Sequence, residues 1–232
     1  MPPEHVAIVI PVFRNAETLR ALHNRICDAL AHVNAVPHFV FVEDAGGDAS
    51  LGLLKEMSQS DPRVTLITNQ HNLGQQASIR KALEFVGDRD VVVMDADLQD
   101  PPEAIPMLLE TLWSSGADAV FAARVGAYQS GFRMATSKLY RSLMSRFASI
   151  PPGAGGFVAL RANLAKRLAA SRNSRFHLAG MIGCHAGLLK AVSVERNYRQ
   201  VGNSAYSQRM RLVVALSNFV CVLEERFRRG AL

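Results

Sequence analysis

Asp95 and Asp97 stand one residue apart at the end of the apolar run Val91-Val92-Val93-Met94, and Leu98-Gln99-Asp100-Pro101-Pro102-Glu103 follows them. Side chains two apart on an extended strand leave on the same side, so the two carboxylates can converge on one hard cation. A divalent ion carrying a diphosphate suits such a pair, because Mg²⁺ takes one or two carboxylates and fills its other positions with phosphate oxygens and water. The plainer alternative has Asp97 capping the next helix and Asp95 solvated. Context favours the metal: an uninterrupted β-branched run reads as a strand buried on both faces, and the Pro-Pro pair ends it and presets a helical turn. A second acidic pair, Glu43-Asp44, ends the apolar run Phe39 to Val42 and precedes Ala45-Gly46-Gly47-Asp48. A carboxylate there can accept hydrogen bonds from a base or ribose, with glycines letting the ligand approach the backbone. Asp48 alone reads as a helix cap.

These acids need a scaffold that brings strand ends together, and the chain supplies one. His5 to Pro11 reads as a buried strand, followed by a turn and a helix that Asn15 caps and that runs to about Ala35, with Leu19, Leu22, Ile26 and Leu30 as its inner face. Further strands are expected at Phe39–Val42, Val64–Thr68 and Asp118–Ala123, and helices at Ala49–Gln59, Gln75–Phe85 and Glu103–Ser115. The alternation predicts an α/β fold with a mostly parallel sheet flanked by helices and right-handed crossovers. Ligands bind outside the carboxyl ends of such strands. Beyond Arg124 the pattern changes to an amphipathic helix over Phe132–Phe147, a Gly-Pro-rich loop entering a short strand over Ile150–Ala162, a helix over Asn163–Ala170 and a strand over Leu189–Glu195. The last stretch is a long helix with an apolar run at Leu212–Leu223, interrupted by Ser217 and Asn218. The expected organisation is one domain over 1–202, with halves 1–125 and 126–202, and a C-terminal helical extension over 203–232.

The 232 residues carry 26 Lys and Arg against 20 Asp and Glu, a net charge of +6. That excess favours anionic ligands or surfaces, but it is too small for a dedicated nucleic-acid binder, and none is expected as a partner. Cys27, Cys184 and Cys221 are odd in number and lack metal-ligand spacing, so reduced thiols in a cytoplasmic protein are expected. No apolar stretch reaches the length of roughly 18 residues needed to span a bilayer.

Taken together, VIPVFRNAETL, FVEDAGGDAS, NQHNLGQQASIRKAL and VVVMDADLQDPPE resemble the family 2 inverting glycosyltransferases of the GT-A fold, nearest to the polyprenyl- and dolichyl-phosphate hexose synthases. The resemblance implies a GT-A (Rossmann-like) sheet and sugar transfer from a nucleotide-diphosphate sugar, UDP ahead of GDP, to a sugar, lipid-linked or small-molecule acceptor. It implies that Pro11, Phe13, Glu43, Asp44, Asn72 and Gly74 in the Asn69–Gly74 loop, Gln75, Asp95 and Ala96 hold the donor. Asp95 and Asp97 then hold Mg²⁺ or Mn²⁺. Three departures matter. Glu43-Asp44-Ala45-Gly46 stands where Asp-Asp-Gly-Ser is usual, Gly156 and Val158 replace an Asp and an Arg of that branch, and Ala205 replaces a Lys. The transmembrane helices that often follow are absent from this sequence. With Gly156 in the carboxylate position the general base is open between Asp97, Asp100, His177 and His185, the histidines being more simply read as packed loop residues. A degenerate, non-catalytic nucleotide-sugar binder is the alternative. Nucleotidyl transfer is disfavoured because His5–Asn15 has neither glycine nor lysine. The apolar tail predicts a homo-oligomer contact, with a peripheral inner-membrane contact as the other reading.

Overall fold

The computed structural model describes residues 4–125, 149–196 and 208–230. The helix expected over 132–147 and the stretch around Ala205 lie outside them. Seven strands form one sheet: β1 Glu4–Val12, β2 Ala35–Glu43, β3 Val64–Thr68, β4 Asp90–Val93, β5 Ala119–Val125, β6 Val158–Leu160 and β7 Leu189–Glu195, in the order β3-β2-β1-β4-β6-β5-β7. The helices are α1 Leu19–Ala31, α2 Ser50–Ser60, α3 Gln75–Leu83, α4 Ile105–Ser115, α5 Ala162–Ala169, α6 Leu178–His185 and α7 Gln208–Arg228.

Alternation along β1 sorts its side chains into two cores. Val6, Ile8, Ile10 and Val12 pack with α1, α2 and α4 residues such as Leu22, Leu54 and Leu108, whereas Ala7 and Val9 pack with Ile79, Leu164 and Met181 of α3, α5 and α6. Each such aliphatic side chain contributes about 1.5–3 kcal/mol by leaving water. Strand order is therefore set by apolar burial, and the acids at the strand ends are carried along.

The parallel pairs β1–β2, β1–β4, β2–β3 and β5–β7 match the α/β expectation. One strand departs from it. β6 is antiparallel and lies between β4 and β5, pairing Val93 with Val158 on one side and Phe121 with Val158 on the other. Three buried apolar residues after a Gly-Pro loop suffice for this, because their ladder bonds are satisfied on both sides.

Three local expectations are corrected. α1 ends at Ala31 and not near Ala35, because Asn34 takes a left-handed φ of 50° and Ala35 already pairs with Glu4. β2 thus begins four residues before the apolar run, passing through Pro37. Pairing with β3 starts only at Phe39, so the missing N–H of Pro37 falls where the β3 side is unpaired. Asn15 does not cap α1: its Oδ1 accepts from Phe13 N at 3.1 Å, and α1 starts at Leu19.

The C-terminal helix docks, at least along one face. Cys221 and Val222 are fully buried, and Glu225 is buried between His185, at 2.8 Å, and Asn173, at 3.2 Å. Leu216, Val220 and Phe227 point outward. Among the described residues no helix is long and apolar enough to cross a membrane.

Candidate functional site

At the carboxyl ends of β1, β2, β3 and β4 the expected residues gather. Past β4, Met94 and Ala96 stay in the core while Asp95 and Asp97 are part-exposed, as strand alternation requires. The Ala96 carbonyl accepts from Thr18 Oγ1 at 2.6 Å, which ties the strand exit to the start of α1. With its side chain buried, Ala96 offers a ligand only backbone. Asp97 Oδ1 accepts from Gln99 N at 3.1 Å, and Leu98 between them takes φ 57°. A branched residue in the left-handed region is costly, and such strain concentrates at functional turns. The helix-cap alternative fails for Asp97, since the next helical residues begin at Pro102.

The two acids that end β2 have turned inward. Glu43 accepts from Gly46 N at 2.7 Å and Ala45 N at 3.3 Å, folding its own turn. Gly46 has to be glycine, because a Cβ there would lie 2.9 Å from Arg14 N. Arg14 Nε in turn donates to Gly46 O at 2.9 Å, joining the β1 and β2 exits. Asp44 is 3% exposed and braces the loop after β3: Oδ1 accepts from Asn69 Nδ2 at 2.7 Å and Leu73 N at 2.8 Å, and Oδ2 from Gly74 N at 2.8 Å. Gly74, at φ 85° and ψ 156°, opens α3 in a conformation reserved for glycine. Glu43 and Asp44 therefore shape the rim at these strand ends from behind, while Pro11, the exposed Phe13 and Asn72 stand on it.

Gln75 crosses the mouth, its Nε2 donating to Asp95 Oδ1. Beside them opens a cleft of about 320 Å³, walled by Gln75, Asp95, Pro152, Gly156, His177 and Asn218. A Cβ on Gly156 would stand 3.9 Å from Asp95 Oδ1, so a side chain at position 156 would sit beside that acid. Val158 is fully buried in β6, packed as core.

The candidate bases are now placed. Asp100 is 3% exposed and holds Arg196 with two hydrogen bonds, Nε to Oδ1 at 2.8 Å and Nη2 to Oδ2 at 3.2 Å. His185 faces Glu225 on α7, away from the cleft. His177 lines the cleft and begins α6, its Nδ1 accepting from Gly180 N at 3.4 Å. An Nδ1 acceptor places the proton on Nε2. Burial pushes the His177 imidazole down to about 4. An unfolded histidine titrates near 6.5, so this group's contribution to stability is complete above that pH and is lost as pH falls toward 4. His177→Asn, which keeps a cap acceptor, should remove up to about 3 kcal/mol of the stability loss between pH 7 and 4, read by urea denaturation at each pH.

Arg14, Gln76, Arg196 and Asn218 escaped the sequence reading. Gln76 Oε1 accepts from Leu178 N at 2.8 Å, locking α3 to α6. Only Arg196 carried a usable signal, as a charged residue immediately past the end of a strand.

A family profile described as Glycosyl transferase family 2 matches residues 7–193. The chain belongs to glycosyl transferase family 2. Among its curated relatives in that family is the undecaprenyl-phosphate 4-deoxy-4-formamido-L-arabinose transferase of Pseudomonas savastanoi pv. phaseolicola, 32% identical over 216 residues, covering 91% of this chain and 63% of that one. An uncharacterised glycosyltransferase, YkcC of Bacillus subtilis, is 26% identical over 213 residues, covering 90% of this chain and 66% of that one. The chain thus spans just under two thirds of the length of these relatives. Mannosyl-3-phosphoglycerate synthase from Rubrobacter xylanophilus superposes with a TM-score of 0.68 at 17% identity, over 99% of this chain and 76% of that one. Glucosyl-3-phosphoglycerate synthase from Mycobacterium tuberculosis, solved with Mn²⁺, UDP and phosphoglyceric acid, gives 0.64 at 13% identity, over 96% and 78%. At such identities the likeness is one of fold, and it makes this family 2 member a GT-A protein.

Proposed function

We propose that the chain transfers a sugar, with inversion, from a nucleoside-diphosphate sugar, UDP ahead of GDP, to an acceptor seated in the cleft beside Asp95. The observation that carries this reading is the exit of β4, where two part-exposed aspartates share a mouth with Gln75 and the loop that Asp44 braces. Mn²⁺-containing and UDP-containing structures of GT-A neighbours support it by analogy of fold.

The donor set fits a divalent metal that arrives with its diphosphate. Among the described residues no group of three acidic, histidine or cysteine side chains converges, so the protein offers Asp95 and Asp97 and leaves the remaining positions to phosphate oxygens and water. Bound there, Mg²⁺ or Mn²⁺ would neutralise charge developing on the departing diphosphate. The chain's own part is to hold the donor on the rim formed by Pro11, Phe13, Asn72 and Gln75, to present the His177 Nε2 proton to an acceptor oxygen, and to keep water from the anomeric carbon. A hydroxyl acceptor needs a base within hydrogen-bond reach, whereas a phosphate is already ionised. Asp97 is the part-exposed acid of the set, and Asp100, bound to Arg196, serves to hold that guanidinium.

A second reading, a non-catalytic nucleotide-sugar binder, draws on Gly156, which leaves no carboxylate where the resemblance to the lipid-phosphate branch implies one. The reading also includes work on the cytoplasmic face, where polar nucleotide sugars are available, and a second copy of the chain on the outward stripe of Leu216, Val220 and Phe227, with the inner membrane as the competing surface.

The test is a panel of nucleotide sugars with Mn²⁺. A cognate donor at 100 times its Kd adds about 2.7 kcal/mol, roughly 5–10 °C in melting temperature for a chain of this size. Donor hydrolysis on the same samples separates enzyme from binder, and light scattering reads the oligomeric state. No thermal response to any nucleotide sugar would overturn the proposal.

A further inference from the structure

Arg196 joins the last strand of the sheet to the acid motif of a strand three places away. It follows Glu195, the final residue of β7, and β7 pairs with β5 alone. There the guanidinium meets the segment that follows β4, although β5 and β6 lie between the two strands in the sheet, and Asp100 fixes it with the two hydrogen bonds given above. Its Nη2 also lies 3.8 Å from Asp95 Oδ2. The buried anchor is almost wholly covered, whereas the Arg196 side chain keeps 24% of its surface exposed. Asp95 thus has an amide donor on one oxygen and a permanent positive charge beside the other.

That arrangement bears on any cation Asp95 holds. A divalent ion on Asp95 stands within a few ångströms of a guanidinium that cannot deprotonate, and the two like charges repel. Only an anion lying between them relieves the repulsion, and a diphosphate does so by accepting from the guanidinium on one side and meeting the metal on the other. Resting on the donor-site reading above, we infer that Arg196 is a positioning residue for the donor diphosphate which makes metal binding conditional on the nucleotide. Metal alone is held weakly because Arg196 opposes it. With nucleoside diphosphate present, the same charge becomes an attraction. Asp100 sets the geometry by holding Nε, leaving the far edge of the guanidinium to turn toward phosphate.

The consequence is a pair of effects of opposite sign from one substitution, which a merely structural arginine does not produce. Calorimetry would titrate Mn²⁺ alone, UDP alone and UDP with saturating Mn²⁺ into the wild-type chain, Arg196→Gln and Arg196→Lys. In the wild type Mn²⁺ should bind at least tenfold tighter with UDP than without. In Arg196→Gln, Mn²⁺ alone should bind about three- to tenfold tighter than to the wild type, while UDP with Mn²⁺ binds at least tenfold weaker. Arg196→Lys keeps the charge and should retain most of the coupling. Removing Asp100's partner could loosen the site, so melting temperatures of all three proteins accompany the titrations. Weakening of every titration together with a fall in melting temperature would assign Arg196 a structural role and overturn the inference. Unchanged coupling in Arg196→Gln would overturn it while leaving the donor site standing. If the wild type bound neither Mn²⁺ nor UDP, the donor-site reading itself would fall, and this inference with it.

Discussion

Replacing Asp95 and Asp97 together by alanine should weaken metal-dependent UDP binding by at least about 100-fold, or ~2.8 kcal/mol, while the melting temperature moves by no more than a degree or two. The asymmetry follows from where the two side chains are. Their neighbours Met94 and Ala96 belong to the core, but both aspartates are part-exposed and leave the sheet at its carboxyl edge. Among the contacts the double variant loses are the short turn bond from Gln99 N, the Gln75 contact and the Arg196 ion pair, each made at a partly solvated site. Removing the carboxylate beside Arg196 and a second one at the same strand exit, with the strand left intact, should therefore abolish one function and spare the fold. UDP titrated in the presence and absence of Mn²⁺ supplies the decisive difference. Equal Mn²⁺ dependence in the double variant would remove these residues from the site.

Asp44→Ala should behave in the opposite way, with stability as the larger loss. Its carboxylate satisfies Asn69 Nδ2 and the backbone N–H groups of Leu73 and Gly74. Buried donors deprived of their acceptor cost about 1–3 kcal/mol each, and water can reach part of this loop, so a net loss of roughly 2–4 kcal/mol is expected. For a chain of this length that is roughly 5–15 °C in melting temperature. Asp44→Asn should be nearly as damaging, because one of its two positions becomes an NH₂ facing another N–H. UDP affinity should fall as the loop loosens, with Mn²⁺ binding at Asp95 little changed. A wild-type melting curve for Asp44→Ala would return the residue to the simpler role of a direct ligand contact.

Much of this was readable in the chain before any coordinates. Runs such as Val91–Met94 reveal a strand by composition alone, and the acids that follow them are legible as strand-end residues, since both are local properties. The inner face of α1 was equally plain from spacing. What escaped was set by pairing at a distance. Nothing near Val158 says that three residues will insert between two strands made long before, nor that Arg196 will reach Asp100. The extension of β2 back to Ala35 was hidden because Asn34 and Pro37 look locally like a turn, while the register with Glu4 decides otherwise. For Asp44 the strand end is legible, but which way a carboxylate turns depends on the loop of another strand. Charge patterning gave the tail an apolar run, and only the partner side chains His185 and Asn173 show which of its faces is spoken for.

The insertion of β6 also orders events on the ribosome. β4 emerges with one flank against β1 and the other open, and it stays so until Leu160 arrives to face Val91, about 70 residues later. At synthesis rates of about 5–20 residues per second that is several seconds. For that interval a flat edge of β-branched residues is offered to whatever strand comes by, the kind of template on which nascent chains pair with one another. The hazard in making this protein thus lies in the very strand that carries its acids, and slowing translation between β5 and β6 should raise the insoluble fraction.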